Sequence, residues 1–120
     1  MQAHLLNYYN MNNENFFLKE NKRMVKIAIK EIIYIESFKD YMCFHFADRE
    51  IKTRLPLWFV EEKLSNAPFL RIHKSFIISI PHIDSFSSTF VEVQGKRIPI
   101  GRTYKKEINE FLMQHLLEIS

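Results

Sequence analysis

Glycine and cysteine are scarce in this chain, with 2 Gly and 1 Cys among 120 residues. So few glycines exclude a Gly-rich phosphate cradle, and neither G-x-G-x-x-G nor G-x-x-x-x-G-K-[ST] occurs. The single Cys43 excludes an intrachain disulfide and every multi-cysteine zinc spacing. No apolar run approaches the roughly 18–20 residues that cross a bilayer, so no membrane-spanning helix is expected. Met1-Gln2-Ala3-His4 lacks a basic region followed by an apolar stretch and a cleavage site, and a cytoplasmic protein is expected. Catalytic signatures are missing too, with no H-E-x-x-H and no nucleophile elbow. The carboxylate pair Glu61-Glu62 falls on a predicted helix surface, where solvation is its ordinary fate, because acid–base work needs a cleft and shifted pKa values. Neither enzyme activity, nor a metal, nor a cofactor is expected. His45 sits among aromatics in Tyr41-Met42-Cys43-Phe44-His45-Phe46 with no second ligand at metal spacing. It reads as a structural hydrogen-bonder, and Cys43 as a small buried thiol.

Apolar residues and aromatics are plentiful. Hydrophobic residues make up 47% of the chain, with 11 Phe and 5 Tyr, enough for one domain with a real core. The net charge of +3 is only mildly basic, but it is unevenly spread. Residues 1–70 hold 10 Lys/Arg against 9 Asp/Glu, residues 71–106 hold 7 against 2, and residues 107–120 hold none against 3. The basic excess thus begins at Phe69 to Ser79, FLRIHKSFIIS, where Arg71, His73, Lys74 and Ser75 alternate with core-type residues. Buried, that many donors would need partners. Either the segment is a half-exposed strand with a solvated face, or its polar side chains meet an anion, of which a phosphodiester backbone is the commonest large one.

Residues 1–14 are polar and Asn-rich and read as a flexible lead-in or the remnant of a linker. Phe16 to Glu20 and Met24 to Ile29 have the alternation of a hairpin about Asn21-Lys22. Ile32 to Phe38 carries apolar residues on both faces, with Ile33 and Ile35 on one and Ile32 and Tyr34 on the other. After Lys39-Asp40 come strands Tyr41 to Ala47 and Glu50 to Arg54, joined at Asp48-Arg49. Pro56 to Ser65 reads as a short helix. Pro81-His82 breaks the chain, Asp84 to Ser88 and Phe90 to Gln94 read as strands, and Gly95-Lys96 turns it into Arg97 to Ile100, where Pro99 requires an edge or a strand end. Thr103 to Ile119 predicts an amphipathic helix, with Tyr104, Ile108, Phe111, Leu112, His115, Leu116 and Ile119 on one stripe and Thr103 as N-cap. Lys105 and Lys106 in its first turn oppose the helix dipole, which suits charges aimed at an external anion.

Three separated motifs stand in one register. Glu31 to Glu36 resembles a D-I-x-Y-I-E strand, Arg71 to Ser75 an R-x-H-R-S motif, and Gly95 to Arg102 a G-K-x-I-P-V-S-R motif. Together they resemble the LytTR DNA-binding domain from about Phe16 to Leu112, within a domain placed at residues 15–120. The resemblance implies a mainly β fold, an elongated arrangement of short antiparallel sheets with one short internal helix and a C-terminal helix. It also implies the output domain of a bacterial response regulator in a two-component system, with an upstream receiver domain in the parent protein and a homodimer on paired half-sites. Double-stranded DNA would be read in successive major grooves by three loops. Carried onto this chain, Tyr41, Lys74 and Arg102 would contact bases, while Lys39, Arg71, His73, Ser75, Thr103, Lys105 and Lys106 would hold the backbone or position the loops. Departures are Lys74 in place of Arg, Ser79 in place of Asn, Gly101 in place of Ser and Pro56 in place of a hydroxyl cap. The competing reading is a protein-interaction or sensory module on the same scaffold.

Overall fold

The structure, a computed structural model, describes residues 14–116; the predicted lead-in and Ile119 lie outside that range, apart from Glu14. Among the described residues, ten strands run in the order β1 (Asn15–Glu20), β2 (Arg23–Ala28), β3 (Tyr34–Phe38), β4 (Tyr41–His45), β5 (Glu50–Thr53), β6 (Phe69–His73), β7 (Phe76–Ser79), β8 (Ser85–Phe86), β9 (Phe90–Val93) and β10 (Lys96–Pro99). Helix α1 (Leu57–Lys63) follows β5, and α2 (Lys105–Phe111) follows β10. The strands form a β1-β2 ribbon, a central sheet of order β5-β4-β3-β7-β6 and a small sheet of order β10-β9-β8, all antiparallel. The Cα extents are 50 × 34 × 26 Å, so the expected elongated, mainly β architecture is what forms.

The central sheet is apolar on both faces because its inner strands alternate one core residue up and one down. Ile35, Met42, Phe44, Ile51 and Ile77 meet the β1-β2 ribbon through Leu18 and Ile27, and α1 with the residue that follows it through Val60 and Leu64. Tyr34, Ile72 and Ile78 point the other way, against Val91, Val93 and Ile98 of the small sheet and Ile108 and Leu112 of the C-terminal helix. That helix therefore packs on its own domain. This second covering lies over β3, β7 and β6. On β4 and β5 the same face carries Cys43, His45, Glu50 and Lys52 instead, by the register His45↔Glu50 and Cys43↔Lys52.

Local differences from the sequence reading have local causes. Ile32 and Ile33 do not extend β3; they follow a 3-10 turn at Ile29–Glu31, so Ile32 joins Ile35 in one core and Ile33 joins Tyr34 in the other. The last hairpin turns at Gln94-Gly95, one residue earlier than expected, with φ of 46° and 76°. Two successive left-handed residues suit a two-residue hairpin, and glycine takes the second at no steric penalty. The Asp84 carboxylate accepts the Gln94 amide at 2.6 Å and fixes this turn. Pro99 is the last residue of the edge strand β10, as its missing N–H requires. Thr103 is not an N-cap: a 3-10 turn, Arg102–Tyr104, precedes α2, and no side chain caps either piece. Beyond Phe111 the helix widens into a π-type turn, Leu112–Leu116.

Candidate nucleic-acid interface

Three turns that are far apart in sequence meet at one end of the central sheet. The first is Lys39-Asp40, closing the hairpin that pairs Phe38 with Tyr41. The second is Lys74-Ser75, closing β6 onto β7. The third is the Gly101–Thr103 junction between β10 and α2. Backbone hydrogen bonds tie them together: the Ser37 amide donates to the Ser75 carbonyl at 2.8 Å, and the Gly101 amide donates to the Ile72 carbonyl at 2.8 Å. Glycine permits the second approach, since a Cβ at Gly101 would lie 3.1 Å from Tyr104 Cδ2 and 3.3 Å from the His73 Cα.

The expected site residues divide into two groups. Arg71 and His73 are half-buried and build the second turn. The Arg71 guanidinium donates to the Lys74 carbonyl at 3.1 Å, lies 3.7 Å from the Glu61 carboxylate and sits over the Tyr104 ring at 5.8 Å. His73 Nδ1 accepts the Ser75 amide at 3.0 Å, and its ring packs edge-on against Phe76 at 5.3 Å. With Nδ1 accepting, the neutral ring carries its proton on Nε2. Lys39, Tyr41, Lys74, Arg102, Thr103, Lys105 and Lys106 are exposed, and Ser75 is half-buried. Lys39 takes the left-handed φ of 55° at the tip of the first turn, with its ammonium 5.7 Å from the Phe38 ring. Lys74, Arg102, Lys105 and Lys106 make no ion pair with the described residues. Arg102 does not reach Asp84, whose carboxylate is engaged by Gln94.

Two residues at this end escaped the sequence reading. The Arg54 guanidinium donates to the Tyr41 hydroxyl at 3.3 Å and stacks over its ring at 5.0 Å. Continuing the Met42↔Thr53 register by one step places these residues opposite each other, so the signal was the pairing of two strand ends. Phe38, 60% exposed beside Lys39, adds an apolar surface to the same tip.

At the other end of the β4-β5 ladder lies His45, which has no second ligand at metal spacing along the sequence. Strand pairing brings Cys43, His45 and Glu50 together, with their donor atoms all within 4.8 Å of one another. The sequence spacing hid this because the contact runs across the ladder. The imidazole stacks on Tyr34 at 4.0 Å with an interplanar angle of 8°. Burial lowers its pKa, against the opposing pull of Glu50 and Glu36. Burial and then Glu50 push the Cys43 thiol up to about 11 from an ordinary 9.0. At pH 8 the thiolate fraction should therefore fall about 100-fold, and Cys43 should react with a neutral thiol reagent about that much more slowly in the folded chain than in urea. Equal rates in the two states would contradict the burial.

Comparison with known proteins places the same span. The family model described as the LytTr DNA-binding domain matches residues 22–113. Sensory transduction protein LytT of Bacillus anthracis is 32% identical over 95 residues, covering 74% of this chain and 39% of that protein. LytT of Bacillus subtilis (strain 168) is 29% identical over 101 residues, covering 79% and 42%. Transcriptional regulatory protein LytR of Staphylococcus aureus (strain MW2) is 30% identical over 84 residues, covering 65% and 34%. The chain thus spans less than half the length of these relatives. Among solved structures, a LytTr DNA-binding domain from Bacillus cereus superposes with a TM-score of 0.71 at 21% identity, covering 82% of this chain and 96% of that one. That likeness speaks for the fold.

Proposed function

Because the chain belongs to the LytTR DNA-binding domain family, we propose that it binds duplex DNA sequence-specifically as the output domain of a bacterial transcriptional regulator of the two-component type. The observation that carries this reading is the convergence of three turns on one end of the sheet, each presenting a cation with no acidic partner among the described residues. Short loops on a rigid sheet can enter a major groove where no long recognition helix is available. Tyr41, Lys74 and Arg102 are assigned to base edges. Lys39, Thr103, Lys105 and Lys106 are assigned to phosphates, with Arg54 joining them. Arg71, His73 and Ser75 act as positioning residues, since the first two already hold the second turn through the Lys74 carbonyl and the Ser75 amide. Lys74 is an ammonium and not a planar fork, so it makes a single-point contact where the family's arginine would make two.

The domain reading extends to residues 15–120, with no catalytic role, and to a parent protein in the cytoplasm that carries a receiver domain upstream. Two copies would occupy paired half-sites on DNA. Among the described residues no helix is long and apolar enough to cross a membrane. Affinity for duplex DNA across a salt series tests the central point, because a protein that neutralises phosphates releases counterions and loses binding steeply as salt rises. Lys105→Ala should weaken a specific and a scrambled duplex alike and shallow the log–log salt slope by about 0.9, one phosphate's share. A flat slope in the unsubstituted domain would favour a protein-interaction module instead.

A further inference from the structure

The open half of the central sheet's second face carries a cluster that DNA binding does not use. Cys43 and His45 stand two residues apart on β4 and so share a face, and Glu50 on β5 lies directly opposite His45. We propose that Cys43, His45 and Glu50 form a binding site for a divalent transition-metal ion of the zinc class.

The donor set selects the ion. A thiolate with an imidazole disfavours magnesium and calcium, which take oxygen ligands, and suits zinc or cobalt(II), with one carboxylate completing three protein ligands and a fourth position left for water. The distances fit after a small closure. Tetrahedral zinc with bonds near 2.0–2.3 Å holds its ligand atoms about 3.3–3.8 Å apart, and the three donors here already lie within 4.8 Å. Glu50, on an edge strand and 51% exposed, is the side chain free to close that gap and opens the site to solvent.

His45 is placed as a ligand would be. Its Nδ1 side faces the Glu50 carboxylate at 3.5 Å and its Nε2 side faces the Glu36 carboxylate at 3.7 Å. Neither distance is a hydrogen bond, and Nε2 is buried without a partner. The Nδ1 side, turned toward Glu50 on the edge strand, is the one a metal would take. With a metal at the Glu50 side, Glu36 becomes the carboxylate that orients the ring from behind. Lys52 is the local competitor, its ammonium 3.9 Å from the other Glu50 oxygen. An ion here would clamp β4 to β5, the two strands whose far ends hold Tyr41 and Arg54.

The test is a titration of the chelator-treated protein with Co2+, followed by Zn2+. One Co2+ per chain should produce a thiolate-to-cobalt charge-transfer band with the visible bands of tetrahedral cobalt, and one equivalent of Zn2+ should bleach both. Cys43→Ser should abolish the charge-transfer band. Glu50→Gln, at an exposed position that leaves the fold intact, should weaken Co2+ binding at least about tenfold with an unchanged far-ultraviolet dichroism spectrum. Absence of the charge-transfer band at one equivalent, or an affinity that Glu50→Gln leaves unaltered, would overturn the site.

Discussion

Phe44→Ala should lower the stability of the domain by about 3–5 kcal/mol, seen as a fall in the urea midpoint with little change in slope. Phe44 is fully buried, and it sits opposite Ile35 on one side and Ile51 on the other. Its ring also meets Phe16 edge-on at 6.1 Å, so it joins the central sheet to the β1-β2 ribbon. Truncation removes the transfer free energy of a whole aromatic ring and leaves a cavity that strands on both sides cannot collapse into. Against the 5–15 kcal/mol typical of a whole domain, that loss is large enough to leave much of the protein unfolded near 37 °C. Phe38→Ala is the matched control. Phe38 is 60% exposed at the tip of the same β3-β4 hairpin, and its removal should shift stability by no more than about 0.5 kcal/mol. A Phe44→Ala protein as stable as the Phe38→Ala protein would mean that the ribbon does not share the first core.

Alternation of apolar and polar residues made the β1-β2, β3-β4, β4-β5 and β9-β10 hairpins and both helices legible, because a two-residue period and a three- to four-residue stripe are local properties; Phe69 to Ser79, which reads as one segment, is instead a hairpin folded at Lys74-Ser75. What stayed hidden depends on pairing across the sheet. The phase of Ile32 and Ile33 could not be read, since the 3-10 turn at Ile29–Glu31 resets which face each side chain takes. The last turn slipped by one residue because Gly95 can occupy either central position of a tight turn, and the Asp84 carboxylate that selects Gln94-Gly95 comes from ten residues upstream. Tyr41 with Arg54, and the Cys43-His45 pair with Glu50, are neighbours only through the β4-β5 register. Tyr41, Lys74 and Arg102 came instead from motif resemblance. Their placement at one end of the sheet rests on two hydrogen bonds, Ser37 to Ser75 and Gly101 to Ile72, that no single stretch of sequence announces.

Arg102→Ala should reduce affinity for the preferred duplex by about 1–3 kcal/mol while changing affinity for a scrambled duplex much less, so that specificity falls more than binding. Arg102 leaves the fold immediately after Gly101, which is pinned to β6 by its 2.8 Å hydrogen bond to Ile72. The backbone beneath the side chain is therefore fixed, while the exposed guanidinium has no ion-pair partner among the described residues. A planar fork in that position can donate two bonds to guanine O6 and N7, which is what turns a cation into a reader of sequence. A structural role would require a carboxylate partner, and Arg102 pairs with none among the described residues, Asp84 being committed to the Gln94 amide. The melting temperature of Arg102→Ala should accordingly stay within a degree or two of the parent, on the order of a surface substitution. Lys105, three residues on in the first turn of α2, provides the contrast, since its loss should fall equally on both duplexes. Equal losses on both duplexes for Arg102→Ala, at unchanged stability, would show that Arg102 holds a phosphate and that sequence is read elsewhere on the three turns.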